Sequence, residues 1–379
     1  MAKRSKNRRR RNQAAARLTD DLIVQILSRL PVKSLCRCKC VSTRWRGLIS
    51  HPDHRRRLPQ TLAGLFYITE NPGRFPAEAR HFTNIWDWER RRQSPPLICP
   101  SLSFIPGHEH ISIQDSCNGL LLCRRPESTS FDVFCYVVCN PATESWVVLP
   151  HSGSGGKFRA AWLGFDPAVS SHFHVFEFVD KYHGLVAGME IYSSQTGSWS
   201  YKESQWNFRT SILGDESGVF FNGLLHLVIA QFAIVAVDVE GEKWWMATSP
   251  EHVNPMFGWD PGFVGRYQGR LCYINQDDYD NYMSIWVLEN YATEDWILKH
   301  RVSIRRLTEK IITPPSNYHV ITIHPDCNWI LYAAGWDQTL MVYDVDHEEV
   351  HVIRNLGSDS SVPYIPYVPL YSGSLKDGH

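Results

Sequence analysis

No run of ~18 consecutive apolar residues, the length a membrane-crossing helix requires, occurs in the chain. The charges at its start are not followed by an apolar segment, so neither a membrane span nor a secretory signal is expected. Net charge is absent as well, with 39 Lys and Arg against 39 Asp and Glu. Seven of those cations fall in the first eleven residues, MAKRSKNRRRR. The remainder is mildly acidic, and nucleic acid is not an expected partner. A dense basic run with no apolar face stays solvated and suits an import receptor, which places the chain in the nucleus, the cytoplasm or both.

Signatures of catalysis are equally scarce. There is no GxSxG, HExxH or dinucleotide fingerprint. HSGSGGKF, residues 151–158, resembles a phosphate loop, but His151 replaces its first glycine and Phe158 stands where a hydroxyl would bind magnesium. His108 and His110, like His172 and His174, put two imidazoles on one side of an expected strand without a third or fourth ligand. Asp277, Asp278 and Asp280 lack the glycine and downstream glutamate of a calcium loop. Ten cysteines without a secretory signal read as reduced thiols, and Cys36, Cys38 and Cys40 have no second cluster to complete a metal site. No catalytic residue, metal or cofactor is expected.

What the sequence does have is apolar surface, 43% of 379 residues with 12% aromatic, enough for a large core. It is distributed in two textures. In LTDDLIVQILSRLPVKSLCRCKCVSTRWRGLIS, residues 18–50, the spacing is helical. Thr19 or Asp20 can cap a first helix that Pro31 stops. A second is expected near Ser34 to Lys39, and a third carries Val41, Trp45, Leu48 and Ile49 before Pro52. On the first, Leu22, Ile23, Ile26, Leu27 and Leu30 span about 140° of the wheel, wider than one core-facing side needs. About 40 residues rarely close a core alone, so a partner protein is the expected cover for the surplus.

This stretch resembles an F-box, the helical motif that docks on a Skp-type adaptor of a cullin ubiquitin ligase. The resemblance rests on Asp21-Leu22, Ile26-Leu27, Leu30-Pro31-Val32, Ser34-Leu35, Cys40-Val41, Trp45 and Leu48-Ile49. It departs at Thr19, where the family usually has proline. The resemblance implies an adaptor-binding set of Leu18, Leu22, Ile26, Leu27, Leu30, Pro31, Leu35, Val41 and Trp45, some of which would serve the motif's own core.

Beyond residue 60 the periodicity changes to short runs of Val, Ile, Phe, Tyr and Trp between Gly, Pro, Asn and Asp, as in FDVFCYVVCN at 131–140 and QTLMVYDVD at 338–346. That is an all-β pattern. Polar turns lead into Trp146, Trp199, Trp244 and Trp296, and a fifth into Val350, at spacings of 53, 45, 52 and 54 residues. Gly-centred turns at Gly119, Gly223 and Gly269 precede a tryptophan by 27, 21 and 27 residues. A period near 50 built from four short strands fits a β-propeller blade. A β-sandwich would not impose that regularity. The expected fold is therefore α + all-β, a short helical F-box followed by a β-propeller of about six blades, with a range of five to eight. VPYIPYVPLYSG near the C-terminus reads as a strand that returns to close the ring.

This half is similar to the F-box-associated or kelch-like domains of plant F-box proteins, notably in SCNGLLLC and NPATESW. AGWDQTLMVYDVD adds a WD-repeat flavour, which leaves the propeller subtype open. The expected organisation is a basic tail over 1–17, the F-box over 18–57, a linker over 58–62, the propeller over 63–373 and a tail over 374–379. Four tryptophans at the blade period read as packing anchors, while Trp86, Trp88, Trp162, Trp259 and Trp336 lie outside it. Those five are candidates for either core or an exposed binding face. The resemblance implies a non-catalytic substrate receptor that binds a Skp-type adaptor, through it a cullin, and an unidentified protein substrate. Two alternatives stay open, an adaptor-bound scaffold without a ligase role and a propeller enzyme or lectin with a helical cap.

Overall fold

A computed structural model describes residues 18–30, 34–35, 38, 41–51, 54, 57–58, 61–71, 73, 78–85, 95–127, 133–153, 160–180, 186–206, 218–229, 233–250, 262–275, 282–311, 318–325, 327–371 and 375. It divides into two units, residues 1–61 with 370–372 and residues 62–369 with 373–379. Among the described residues no helix is long and apolar enough to cross a membrane.

In the first unit, α1 (Asp20–Leu27) and α2 (Thr43–Ser50) are set by their caps. Thr19 is extended, and its Oγ1 accepts from the Leu22 N–H at 3.4 Å, with Asp20 and Asp21 in the positive first turn. Ser42 does the same for α2, accepting from the Trp45 N–H at 3.1 Å. Val41 therefore precedes its helix instead of belonging to it. α1 ends at Leu27, earlier than Pro31 alone requires, through tight turn bonds from the Arg29 and Leu30 N–H groups to Ile26 and Leu27. Pro31 itself lies outside the described residues.

The second unit starts with β1 (Gly64–Glu70) and β2 (Glu78–Asn84). Five four-stranded antiparallel sheets follow in chain order. They are β3 (Ser112–Cys117), β4 (Leu120–Pro126), β5 (Phe134–Asn140) and β6 (Ser145–Val148); β7 (Ala161–Gly164), β8 (His174–Asp180), β9 (Val186–Ser193) and β10 (Ser198–Glu203); β11 (Gly218–Phe221), β12 (Leu224–Ile229), β13 (Ala233–Asp238) and β14 (Trp244–Thr248); β15 (Phe263–Tyr267), β16 (Arg270–Asn275), β17 (Tyr282–Asn290) and β18 (Asp295–Ser303); and β19 (Tyr318–Ile323), β20 (Trp329–Ala334), β21 (Thr339–Asp344) and β22 (Glu349–Asn355). The last strand, β23 (Ser360–Tyr367), pairs with β1 in the order β2-β1-β23. Strands β3, β7, β11, β15, β19 and β23 touch one another in a closed cycle. The fold is a six-bladed β-propeller, and its sixth blade takes its innermost strand from the C-terminal end and two more from the N-terminal end.

Middle strands such as Leu120–Cys123 and Ile330–Ala334 are buried on both faces because each sheet is covered by a blade on either side. Outer strands such as β10 are mostly exposed. The turns obey the backbone chemistry read from the sequence. Asn118 and Gly119, Asn222 and Gly223, and Gln268 and Gly269 all take positive φ between the first and second strands of their blades. The polar turns into the fourth strands also share a mechanism. Asn140, Asp238, Asn290 and Asp344 each accept a backbone N–H on a side-chain oxygen, and Glu144, Gly241, Glu294 and Glu348 supply the left-handed residue.

Each blade junction has its own contact. Asp115 Oδ2 accepts from the Leu163 N–H at 2.7 Å, joining the first blade to the second. At the next junction a Cβ on Gly218 would lie 2.8 Å from Trp162, and one on Gly164 would lie 2.9 Å from Phe220. Only glycine allows that approach, and it seats Trp162 in the core. His226 Nε2 meets the Tyr291 hydroxyl at 3.1 Å across the following junction. Gln268 Nε2 donates to Asn328 Oδ1 at 3.1 Å, and the Tyr364 hydroxyl donates to Gln338 Oε1 at 3.1 Å. Tyr367, fully buried, packs edge-on against Phe66 at 5.7 Å and donates its hydroxyl to the Gly119 carbonyl at 3.3 Å, which completes the circle.

Candidate functional site

The helical unit closes its own core with Ile23, Val24, Leu27, Leu35, Leu48, Ile49 and Leu58, and Leu18, Leu30, Cys38 and Trp45 pack partly buried around it. Arg44 ties the two helices together, donating to Asp20 Oδ1 through Nε at 2.9 Å and to the Leu18 carbonyl through Nη2 at 3.0 Å. Burial raises the Cys38 thiol above its ordinary range, so it is a packing group. Cys36 and Cys40 lie outside the described residues.

The apolar surplus has a defined location. Leu22 is 46% exposed, Ile26 48% and Val41 63%. Leu22 and Ile26 stand one turn apart on the same side of α1, while Ile23, Val24 and Leu27 point into the core. Of the nine residues named from the sequence, Pro31 lies outside the described residues and the other eight separate into three groups. Leu22, Ile26 and Val41 face solvent; Leu27 and Leu35 are interior; and Leu18, Leu30 and Trp45 lie between.

In the propeller, antiparallel alternation sorts the connections onto two rims. One rim holds the tight turns, between first and second and between third and fourth strands. The other holds the connections between second and third strands and from each blade to the next. Of these, 335–338 and 356–359 are described throughout, and the described ends of the connections over 127–133, 149–160, 204–217, 249–262 and 304–317 leave and enter their strands on the same rim. Most are longer, and recognition residues concentrate on such loops when a rigid scaffold carries them.

The other candidates resolve as follows. Trp146, Trp199, Trp244 and Trp296 all sit in outer strands and are half-buried. Trp199 Nε1 donates to the Pro150 carbonyl at 2.7 Å, and its ring lies 6.0 Å from Tyr136 of the preceding blade. Trp244 packs edge-on against Trp206 at 4.7 Å. Of the tryptophans outside the period, Trp162 is core and Trp336 is 68% exposed in the turn between β20 and β21. Trp86, Trp88 and Trp259 lie outside the described residues. His108 to His110 form a 3-10 turn after Gly107, whose φ is 76°, and not the expected strand. His172 precedes β8 and only His174 enters it. Among the described residues no cluster of His, Cys, Asp or Glu could hold a metal. Asp277, Asp278 and Asp280, and most of the glycine-rich loop after Gly153, lie outside the described residues.

Comparison with known proteins agrees with both units. The F-box domain family matches residues 16–57, and the F-box associated beta propeller domain family matches residues 91–356. F-box protein At5g07610 of Arabidopsis thaliana is 28% identical over 76% of this chain and 71% of its own length. F-box protein At5g49610 of the same plant is 27% identical over 78% of this chain and 81% of its own. The chain belongs to the F-box associated β-propeller family, with an F-box domain at its N-terminal end.

Proposed function

We propose that this protein is the substrate-recognition subunit of a Skp/cullin/F-box ubiquitin ligase. The observation that carries the reading is the placement of Leu22, Ile26 and Val41 in water on a helical unit whose core is already complete. An adaptor groove supplies the missing cover. The propeller presents its longer connections on one rim, where they engage a target protein. The chain contributes no chemistry of its own. It holds a target lysine near a ubiquitin-loaded enzyme, and the acceleration comes from proximity.

The experiment is reconstitution. Full-length protein with a Skp-type adaptor, a cullin and its RING partner should co-elute as one complex and support ubiquitin-chain formation. Adaptor binding without cullin in the complex would favour the scaffold reading instead, and failure to bind adaptor would overturn both.

A further inference from the structure

Trp336 is the exposed tryptophan among the described residues, 68% accessible, and it is not on a loose loop. The turn that carries it, residues 335–338, is fixed from both ends. Gly335 and Gln338 take φ of 83° and 48°, and the Gln338 N–H donates to the Gly335 carbonyl at 3.1 Å. Asp337 accepts from the Thr339 hydroxyl at 3.0 Å, from Asn355 Nδ2 and, on its carbonyl, from the Gly357 N–H at 3.1 Å. Gln338 accepts from the Leu356 N–H and the Tyr364 hydroxyl. A rigid turn thus holds a large aromatic ring in water, on the rim that carries the long connections. Such a ring costs solvation in the free protein and loses little freedom on binding, the properties of an interface anchor.

The surroundings specify the partner. The same hydrogen bonds bring residues 355–361 beside the turn, with Asp359 close to Gly357. Glu70, whose N–H donates to the Asp359 carbonyl, accepts from the Ser361 hydroxyl on Oε1. Among the described residues of this patch, the carboxylates of Asp337, Asp359 and Glu70 outnumber the guanidinium of Arg354, whose charge acts on Tyr67 in the sense opposite to that of Asp359. A ring face beside an excess of carboxylates favours a cation and disfavours phosphate.

We propose that Trp336 anchors a basic segment of the target protein, with a Lys or Arg side chain over the indole and its neighbours paired to Asp359 and Glu70. This rests on the substrate-receptor reading and names the chemistry of what the receptor takes.

The test uses full-length protein bound to its adaptor and three fluorescein-labelled probes. These are a dodecapeptide of Arg and Lys alternating with Ser, the same peptide with Glu for each cation, and a single-stranded RNA dodecamer. Fluorescence polarisation should show binding of the basic peptide, weakened by salt and at least about tenfold tighter than the acidic one. Trp336→Ala should weaken it at least about tenfold, Asp359→Asn several-fold, and Trp336→Phe much less than Trp336→Ala. Unchanged binding by Trp336→Ala, equal binding of both peptides, no binding of the basic peptide, or Trp336-dependent binding of RNA would each overturn the proposal. Adaptor affinity, measured on the same samples, separates this failure from failure of the receptor reading, because Trp336→Ala leaves the helical unit unaltered.

Discussion

Replacing Leu22 and Ile26 together with alanine tests the exposed face of α1 with little risk to the fold. Complete burial of such a side chain is worth roughly 1.5 to 3 kcal/mol. Leu22 and Ile26 are already about half out of water, at 46% and 48% exposure, so only the remaining half is available to a partner. That leaves about 0.7 to 1.5 kcal/mol each. The double variant should bind a Skp-type adaptor roughly 10- to 150-fold more weakly. Its melting temperature should stay close to wild type, because surface truncations outside special contacts usually cost about 0.5 kcal/mol or less. The matched control is Ile23→Ala, one residue away and 1% exposed. It should cost about 2 to 5 kcal/mol of folding stability. Calorimetric titration with adaptor and a thermal melt of each variant supply the two readouts. Wild-type adaptor affinity in the Leu22, Ile26 double variant would refute the assignment of this face.

Three further perturbations address other parts of the molecule. Tyr367→Ala should destabilise the ring by about 3 to 5 kcal/mol, a fall in melting temperature of roughly 5 to 8 °C for a domain of this size. Tyr367→Phe should lose only about 1 kcal/mol with its bond to Gly119, and equal effects of the two would discount the aromatic packing. Burial holds His226 down to about 4, so the folded state excludes a proton that the unfolded chain accepts near 6.5. Stability from this group is complete above that value and declines by up to about 3 kcal/mol as pH falls toward 4. Asp115, pushed up to about 6 by burial against two backbone N–H bonds, acts in the opposite sense across an overlapping range. The readout is thus the difference between wild type and His226→Asn in melts from pH 7.5 to 4, and parallel curves would remove His226 from the account. Deleting residues 2–11 should move a fluorescent fusion from nucleus toward cytoplasm without changing adaptor affinity; an unchanged distribution would leave the basic run as a solubilising tail.

The propeller was legible because its signals are local and repeat. A positive-φ pair such as Asn118-Gly119 is written in two letters, and a turn that ends on a fourth-strand tryptophan recurs every fifty or so residues. The closing strand could be read from its isolation after the last unit. What stayed hidden depends on neighbours distant in sequence. Leu22 and Ile23 are adjacent on a wide apolar stripe, and only packing with α2 sends one outward and the other inward. Trp162 is core because Gly218, far along the chain, leaves room for its ring. Trp336 was open to either core or an exposed face, and its indole stands in water because the Trp-Asp pair forms the turn between two strands instead of entering one. His108 to His110 lost their expected alternation to a left-handed glycine immediately before them.

The way β23 closes the sixth blade also sets an order of events during synthesis. Gly64 and Tyr367 are register partners in adjacent strands, yet roughly 300 residues must be made between them. Joining ends that far apart costs about 5 kcal/mol of loop entropy in an unstructured chain. The five sequential sheets can each form from local contacts as they leave the ribosome. They shorten the effective loop before the last strand exists. Until residues 360–367 arrive, β1 presents an unpaired edge and Phe66 lacks its cover of Tyr367. A message truncated anywhere before this strand would therefore yield an open ring with an adhesive seam, and the edge of β1 is protected only once its closing strand has been made.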